Sequence, residues 1–419
     1  MNIHFAGIGG IGISALAQLC LSRGDRVTGS EMQETVILPE LRAMGVKIFM
    51  LQSEKSVPMD TDLLVYSEAV PKSNPERQFA TEKNIPQKSY FEYLGEVSRK
   101  YRTIAVCGTH GKTSTVALLS AGLFNTDFDP TVIVGTTIPQ FKNTNFHAGT
   151  NDWLLVEACE YRQNFRFLAP EIVVLVDLDY DHPDAFPTED SYWKAFSDFC
   201  TKAKTVVYHD NEKSRHILKH FAGERIALAD PNPNYSTFES RIIGEHNRRN
   251  ARLALAVAEL LQVDKKEFQT GLQHFQAPGR RQEYLGEKNG IHVYDDYAHH
   301  PTELRALFTA LREQYPKQKL GVIFEPHQHA RTIQFFDGFA EVLQLPDFVG
   351  IYPIYPARDT EEDKKKMPTS KLINSIPDAI RIESAGDINK VFTQLQTGDV
   401  LAFVGAGKVD ELAKEFVKR

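Results

Sequence analysis

Two glycine turns, each set between an apolar strand-like run and a helical pattern, constrain this chain more than any other feature. The first, Gly7, Ile8, Gly9, Gly10, Ile11 and Gly12, follows the run Ile3–Ala6 and opens a helix that the pattern carries to about Ser22. The second, Gly108, Thr109, His110, Gly111, Lys112, Thr113 and Ser114, follows Thr103–Val106 and opens the helical stretch TSTVALLSAGLF. A strand that turns on glycine into a helix offers backbone N–H groups and the positive end of the helix dipole to an anion. Units of this kind pack as parallel sheets. A chain with two of them is expected to seat two phosphate-bearing ligands.

The turns differ in chemistry. The first, with Glu31 just beyond the next strand-like run (Arg26–Thr28), matches a dinucleotide fingerprint. The fingerprint requires only a diphosphate, so a nucleoside diphosphate such as UDP fits as well as NAD, and a lone GxGxxG also serves as a plain tight turn. The second carries the Gly-Lys-Thr of a phosphate loop: amides cradle phosphate oxygens, Lys112 reaches the terminal phosphates and the Thr113 hydroxyl is a magnesium ligand. It lacks the earlier glycine of the generic loop, with Val106 in that place. A nicotinamide oxidoreductase has no use for Lys112, a simple ATPase has none for the first turn, and a non-catalytic nucleotide-binding protein would not depend on Lys112 for activity.

At 419 residues the chain exceeds a single core, and two to four domains are expected. Short apolar runs alternate with helical patterns in three blocks. The second includes WLLVEA at 153–158, EIVVLVDL at 171–178, a polar loop at 230–240 and helices over NARLALAVAELLQV and near Lys265–His274. QAPGRR at 276–281 reads as a hinge, after which HVYDDY, KLGVIF, DFVGIY and DVLAFV resume the alternation. The run DTEEDKKKMP at 359–368 reads as a solvated loop. With 42% hydrophobic and 25% charged residues the chain has ample apolar surface to bury. A net charge of −7 excludes a global positive field for nucleic acid or anionic membrane. Cys20, Cys107, Cys159 and Cys200 are widely spaced, as expected of free thiols, and neither a leader pattern nor an apolar run of about 18 residues is visible, so a cytoplasmic protein is expected.

Ten motifs in order along the chain resemble the Mur ligase family of ATP-dependent amide-forming enzymes. They are GIGGIG at 7–12, YSEAVPKSNPE at 66–76, GTHGKTS at 108–114, EACEYRQNF at 157–165, DYDHPD at 179–184, GEHNRRN at 244–250, GRR at 279–281, DDYAHHPTE at 295–303, EPHQHART at 325–332 and VGAGKVDEL at 404–412. The resemblance implies an α/β protein of three domains: a Rossmann-like UDP-binding domain (1–100), a central P-loop ATPase domain with a mostly parallel sheet (101–278) and a Rossmann-like closing domain (279–419). It implies ATP with Mg²⁺, or Mn²⁺, and as substrates UDP-N-acetylmuramate and L-alanine, in a monomer or homodimer.

The resemblance also implies roles. Gly7 to Gly12, Ser30 and Ser67 would hold the UDP substrate. Gly108 to Ser114, His246, Asn247, Asn250, Arg281 and Asp296 would hold ATP, and Thr113, Glu157 and His182 the metal, with His182 on a second ion. Tyr297, His299 and Arg331 would face the amino acid, with Lys112, His182 and His299 as the catalytic set. Cys159 stands where the common motif has Asp, and no carbamylated lysine is assigned. Asn beside His246 also suits ordinary helix capping. The pairs His299/His300 and His327/His329 lack further ligands at zinc spacing. Gln328 replaces an arginine common in alanine-adding members, which leaves one fewer guanidinium for the amino-acid carboxylate; a tripeptide-adding member that shares both glycine turns and the HHP motif is the rival, although EPHQHART and YPARD (355–359) favour alanine.

Overall fold

The alternation of apolar runs and helices yields three sheets in the computed structural model, which describes residues 1–141, 144–229, 243–357 and 359–418. The polar loop expected at 230–240 and Arg358 of YPARD lie outside the described residues. The first sheet holds β1 (Asn2–Ala6), β2 (Arg26–Ser30), β3 (Lys47–Phe49), β4 (Leu63–Tyr66) and β5 (Gln87–Ser89) in the order β3-β2-β1-β4-β5, all parallel. The second holds β6 (Arg102–Cys107), β7 (Thr131–Ile138), β8 (Thr144–His147), β9 (Trp153–Glu157), β10 (Ile172–Leu175), β11 (Thr205–His209) and β12 (Glu224–Leu228). Its order is β12-β11-β10-β6-β9-β7-β8, parallel except for the β7–β8 hairpin. The third holds β13 (Glu283–Lys288), β14 (Ile291–Asp296), β15 (Leu320–Glu325), β16 (Phe348–Ile351), β17 (Ile380–Arg381) and β18 (Val400–Gly405) in the order β13-β14-β18-β15-β16-β17, with only β13 antiparallel.

Strands covered by helices on both faces must be apolar on both. Accordingly β10, β15 and β18 are buried at every position, and these are the runs legible in the sequence. Edge strands such as β12 and β13 mix charge with apolar residues, which keeps them from pairing with other chains and also hides them from a periodicity reading.

Among the described residues the chain forms two compact units. One takes residues 1–181, 188–229 and 250–276, and with them the first two sheets; the other takes residues 182–187, 243–249 and 277–418, and with them the third. The boundary near Gln276 falls in QAPGRR, the stretch whose Pro-Gly break reads as a hinge. In the first sheet β1 lies between β2 and β4, and in the second β6 lies between β9 and β10. Both glycine turns therefore sit at the carboxyl end of a strand where the winding reverses, the place where open α/β sheets bind ligands.

One expectation is corrected. Residues 359–368 are not a loop throughout, because Glu361–Lys366 is helical, capped by Thr360. Thr360 and Asp363 form a capping box, acidic residues fill the first turn and lysines the last, so capping and the helix dipole favour a helix in a segment that buries nothing. Among the described residues no helix is long and apolar enough to cross a membrane.

Candidate functional site

The first turn joins β1 to helix α1 (Ile11–Ser22). Gly7 takes φ +74°, a conformation costly for other residues. The Gly7 and Ile8 amides both donate to Ser30 O at 3.0 Å, which ties the turn to β2. Gly9 N–H donates to Glu31 Oε2 at 2.9 Å, and a Cβ on Gly9 would meet that oxygen at 2.8 Å. The turn therefore already holds one anion, a carboxylate, on an amide offered to phosphate. Ser67 packs against Gly7, where an added Cβ would meet its Cβ at 3.2 Å. The side chains of two residues expected at the sugar nucleotide, Ile8 and Ser30, have partners elsewhere. Ile8 is buried and packs over Gly29, and the Ser30 hydroxyl donates to Glu76 at 2.7 Å beneath the sheet.

The second turn follows β6. Val106 is a central strand residue in register with Glu157 on one side and Val174 on the other, so no glycine is needed there. Gly108 (φ +143°) approaches Val176 so closely that a Cβ would meet its Cγ2 at 2.4 Å, while the Thr109 and His110 amides donate to Asp177 O at 2.8 and 3.2 Å. Gly111 (φ +89°) precedes the helix Lys112–Leu123, and a Cβ on it would meet Asn250 Oδ1 at 2.7 Å. Asn250, distant in sequence, is thus placed against the loop.

Lys112 folds back into the loop, its Nζ donating to Gly108 O at 2.6 Å, Thr109 O at 3.1 Å and Glu160 Oε1 at 3.0 Å. Burial alone would lower the ammonium's pKa, but the Glu160 carboxylate outweighs it and holds it above the ordinary value. Thr113 Oγ1 donates to Glu157 Oε2 at 3.0 Å, and Glu157 Oε1 accepts from Gly135 N–H at 2.7 Å. A hydroxyl and a carboxylate oxygen in contact at the loop form a hard oxygen pair suited to Mg²⁺ or Mn²⁺. Beside them burial pushes the Cys159 thiol up to about 12, so it is neutral and offers no anionic ligand in place of the family's Asp.

Sequence reasoning missed Glu160 as the partner of Lys112, and the scaffold of Asp179. The Asp179 carboxylate meets His110 Nε2 at 3.2 Å and Lys213 Nζ at 2.6 Å, and these two partners outweigh burial to hold it well below the usual carboxylate range. Both acids lie inside recognisable motifs, three residues from Glu157 and His182, and spacing alone does not tell them from solvated acids.

In the other unit, His182 takes φ +58° and its carbonyl accepts the Ala185 and Phe186 amides at 2.9 Å. It belongs to the unit that carries the third sheet. Asn247 is no N-cap: its Nδ2 donates to Ile243 O at 3.1 Å, and neighbouring His246 contacts Gln282 Nε2 at 3.3 Å. Asp296 accepts the Gln282 and Ala298 amides, both at 2.7 Å, so it braces the segment carrying Arg281, and burial raises its pKa. The guanidinium groups of Arg280 and Arg281 lie 5.1 and 5.0 Å from the centre of the Tyr297 ring.

His299 Nδ1 lies 3.0 Å from Tyr297 O. A carbonyl only accepts, so Nδ1 carries a proton, and Glu303 Oε2 lies 3.4 Å from the same nitrogen. His299 also packs against His327 with centroids 5.8 Å apart, and His327 Nδ1 lies 3.2 Å from Nη1 of the buried Arg331. Tyr297, His299 and Arg331 are thus brought together through His327, a link that spacing in the sequence does not show. The other ring of each histidine pair plays a different part, since His300 caps the helix Pro301–Gln314 and His329 bonds Met367 O at 2.7 Å.

Comparison with known proteins covers the whole chain. Three family models match in succession: "Mur ligase family, catalytic domain" at residues 2–102, "Mur ligase middle domain" at 106–230 and "Mur ligase, glutamate ligase domain" at 280–407. A UDP-N-acetylmuramate–L-alanine ligase of Clostridium acetobutylicum is 32% identical over 100% of this chain and 98% of its own. The crystal structure of the UDP-N-acetylmuramate-alanine ligase of Thermotoga maritima superposes with a TM-score of 0.83 at 28% identity, covering 100% of this chain and 99% of that one. A murein peptide ligase from Psychrobacter arcticus shares the fold, with a TM-score of 0.74 at 21% identity over 100% and 98% of the two chains.

Proposed function

The chain belongs to the Mur ligase family, and from that premise we propose that it joins L-alanine to the lactyl carboxylate of UDP-N-acetylmuramate at the expense of ATP, in the making of peptidoglycan precursors. The reading rests on one observation above all: Lys112, Thr113 and Glu157 converge at the second turn of a chain similar over its full length to an alanine-adding ligase. Domain limits of 1–100, 101–278 and 279–419 fit the three sheets, and free cysteines fit a cytoplasmic enzyme.

In this reading a carboxylate oxygen of the sugar nucleotide attacks the γ-phosphorus of ATP, ADP leaves, and the acyl phosphate so formed is attacked at carbon by the amine, expelling phosphate. The first turn holds the diphosphate on its amides, displacing Glu31 from Gly9. Lys112 exchanges a loop or Glu160 contact for the terminal phosphate and stabilises charge that builds during transfer. Asn250, His246, Asn247, Arg281 and Asp296 serve the rest of ATP. Thr113 and Glu157, with His182 for a second ion, would hold Mg²⁺, which when bound neutralises phosphate charge. Arg331 pairs with the amino-acid carboxylate, Tyr297 lines its place, and His299 Nε2 accepts the amine proton.

The shared fold of the murein peptide ligase leaves a tripeptide as the rival amine. Purified protein given ATP, Mg²⁺ and UDP-N-acetylmuramate with L-alanine, glycine, L-serine or L-Ala-γ-D-Glu-diaminopimelate, scored by the mass of the amide, decides it. L-Alanine is expected to give the dominant product; amide from the tripeptide alone would overturn the choice.

A further inference from the structure

The two glycine turns belong to different sheets, yet a hairpin that neither motif contains joins them. β8 delivers the fully buried Asn145 to the first turn of α1. Its Nδ2 donates to the Ile11 carbonyl and, at 2.9 Å, to Ser14 Oγ, and its Oδ1 accepts from Gln18 Nε2 at 2.8 Å. Ser14 and Gln18 are buried polar residues on a mostly apolar helix, four positions apart and therefore on one face. β7, the partner of β8, reaches the other way, where the Gly135 amide holds Glu157 Oε1 and leaves Oε2 to Thr113. The Tyr90 ring also lies against α1, where a Cβ on Gly12 would meet its Cζ at 3.0 Å.

We propose that Asn145 is a positioning residue: through the β7–β8 hairpin it fixes the diphosphate-seating end of α1 relative to Glu157, so that the sugar-borne carboxylate meets the γ-phosphoryl group in attacking geometry. This rests on the ligase reading above. Asn145 touches the helix backbone and two helix side chains, so its loss leaves each nucleotide its own seat and loosens the distance between the seats. Rate is what such misalignment costs.

The test compares wild type with Asn145→Ala. Dissociation constants for UDP-N-acetylmuramate alone and for a non-hydrolysable ATP analogue alone are measured by calorimetry, and kcat with all substrates saturating. The expected result is a kcat lower by roughly 10-fold or more with both dissociation constants within about 3-fold of wild type. A folded variant with wild-type kcat, or one whose loss lies entirely in the binding constants, overturns the proposal. Should Asn145→Ala not fold, Gln18→Met decides, since it removes one of the three bonds and keeps the helix: a smaller loss of kcat alone supports the proposal, and none sinks it. Wild-type protein that forms no amide would sink the ligase reading and this inference with it; amide from wild type with an unaffected variant sinks only the role of Asn145.

Discussion

The two glycine turns share a strand, a tight bend and a helix, and differ in what surrounds their amides. The first offers backbone amides beside neutral hydroxyls: Thr35 Oγ1 donates to Gly9 O at 3.2 Å, the acid Glu31 sits on the Gly9 amide, and the turn carries no lysine of its own. The second brings a lysine already paired with Glu160 and a threonine already in contact with Glu157. A diphosphate that is only held keeps its charge, and amides with a helix dipole suffice for it. A terminal phosphoryl group that is transferred changes its charge distribution, and cations held where the new charge builds are needed to stabilise it. On the proposed function, the difference separates a site for holding from a site for reaction.

The sharpest attempt to break that comparison is Lys112→Ala. Turnover should fall by ~10²-fold or more while the affinity for UDP-N-acetylmuramate stays within about 2-fold, measured by steady-state phosphate release and by calorimetry. Equal damage to both would make the turns functionally alike. Glu157→Gln should come next, raising the Mg²⁺ concentration for half-maximal rate by about 10-fold or more, because one oxygen of the pair loses its charge. Gly9→Ala should act on the other side alone. Its Cβ meets Glu31 Oε2 and Thr35 Oγ1 at 2.8 Å, so the dissociation constant for the sugar nucleotide should rise about 10-fold, with KM for ATP unchanged.

The smallest effect concerns pH. Asp179, beneath the second turn, has its pKa lowered from 3.8 because His110 and Lys213 outweigh burial. Its contribution to stability is present above the unfolded value and lost as pH falls through the folded one. Asp295 in the third sheet is raised from 3.8 to about 7, chiefly by burial, with Arg280 opposing. Its contribution is present below the unfolded value and lost as pH rises through about 7. Between pH 5 and 8, melting curves of Asp295→Asn should lack a decline that wild type shows, whereas Asp179→Asn should keep it.

What the sequence made legible follows from what each element must satisfy. Buried strands such as β6, β10 and β18 are apolar on both faces and stand out, and the two turns need glycine for conformation and close approach. Edge strands and the β7–β8 hairpin carry mixed patterns, so Asn145 gave no signal; the hint lay in Ser14 and Gln18, polar residues at helical spacing in an apolar helix. The family resemblance pointed to Thr113 with Glu157 and to Asn250 as a nucleotide residue, though not to its place against Gly111. They could not predict that Glu160 would claim Lys112, or that the Ser30 hydroxyl would turn beneath its sheet to Glu76, because both depend on neighbours brought in by tertiary packing.

The central claim is that the turns deliver a sugar-borne carboxylate to the terminal phosphoryl group of ATP. It is tested most directly with UDP-N-acetylmuramate labelled with ¹⁸O in its lactyl carboxylate, turned over with ATP and L-alanine, and the released phosphate weighed by mass spectrometry. Attack by the carboxylate predicts one ¹⁸O in each phosphate; phosphate without label, with amide still forming, would contradict the account.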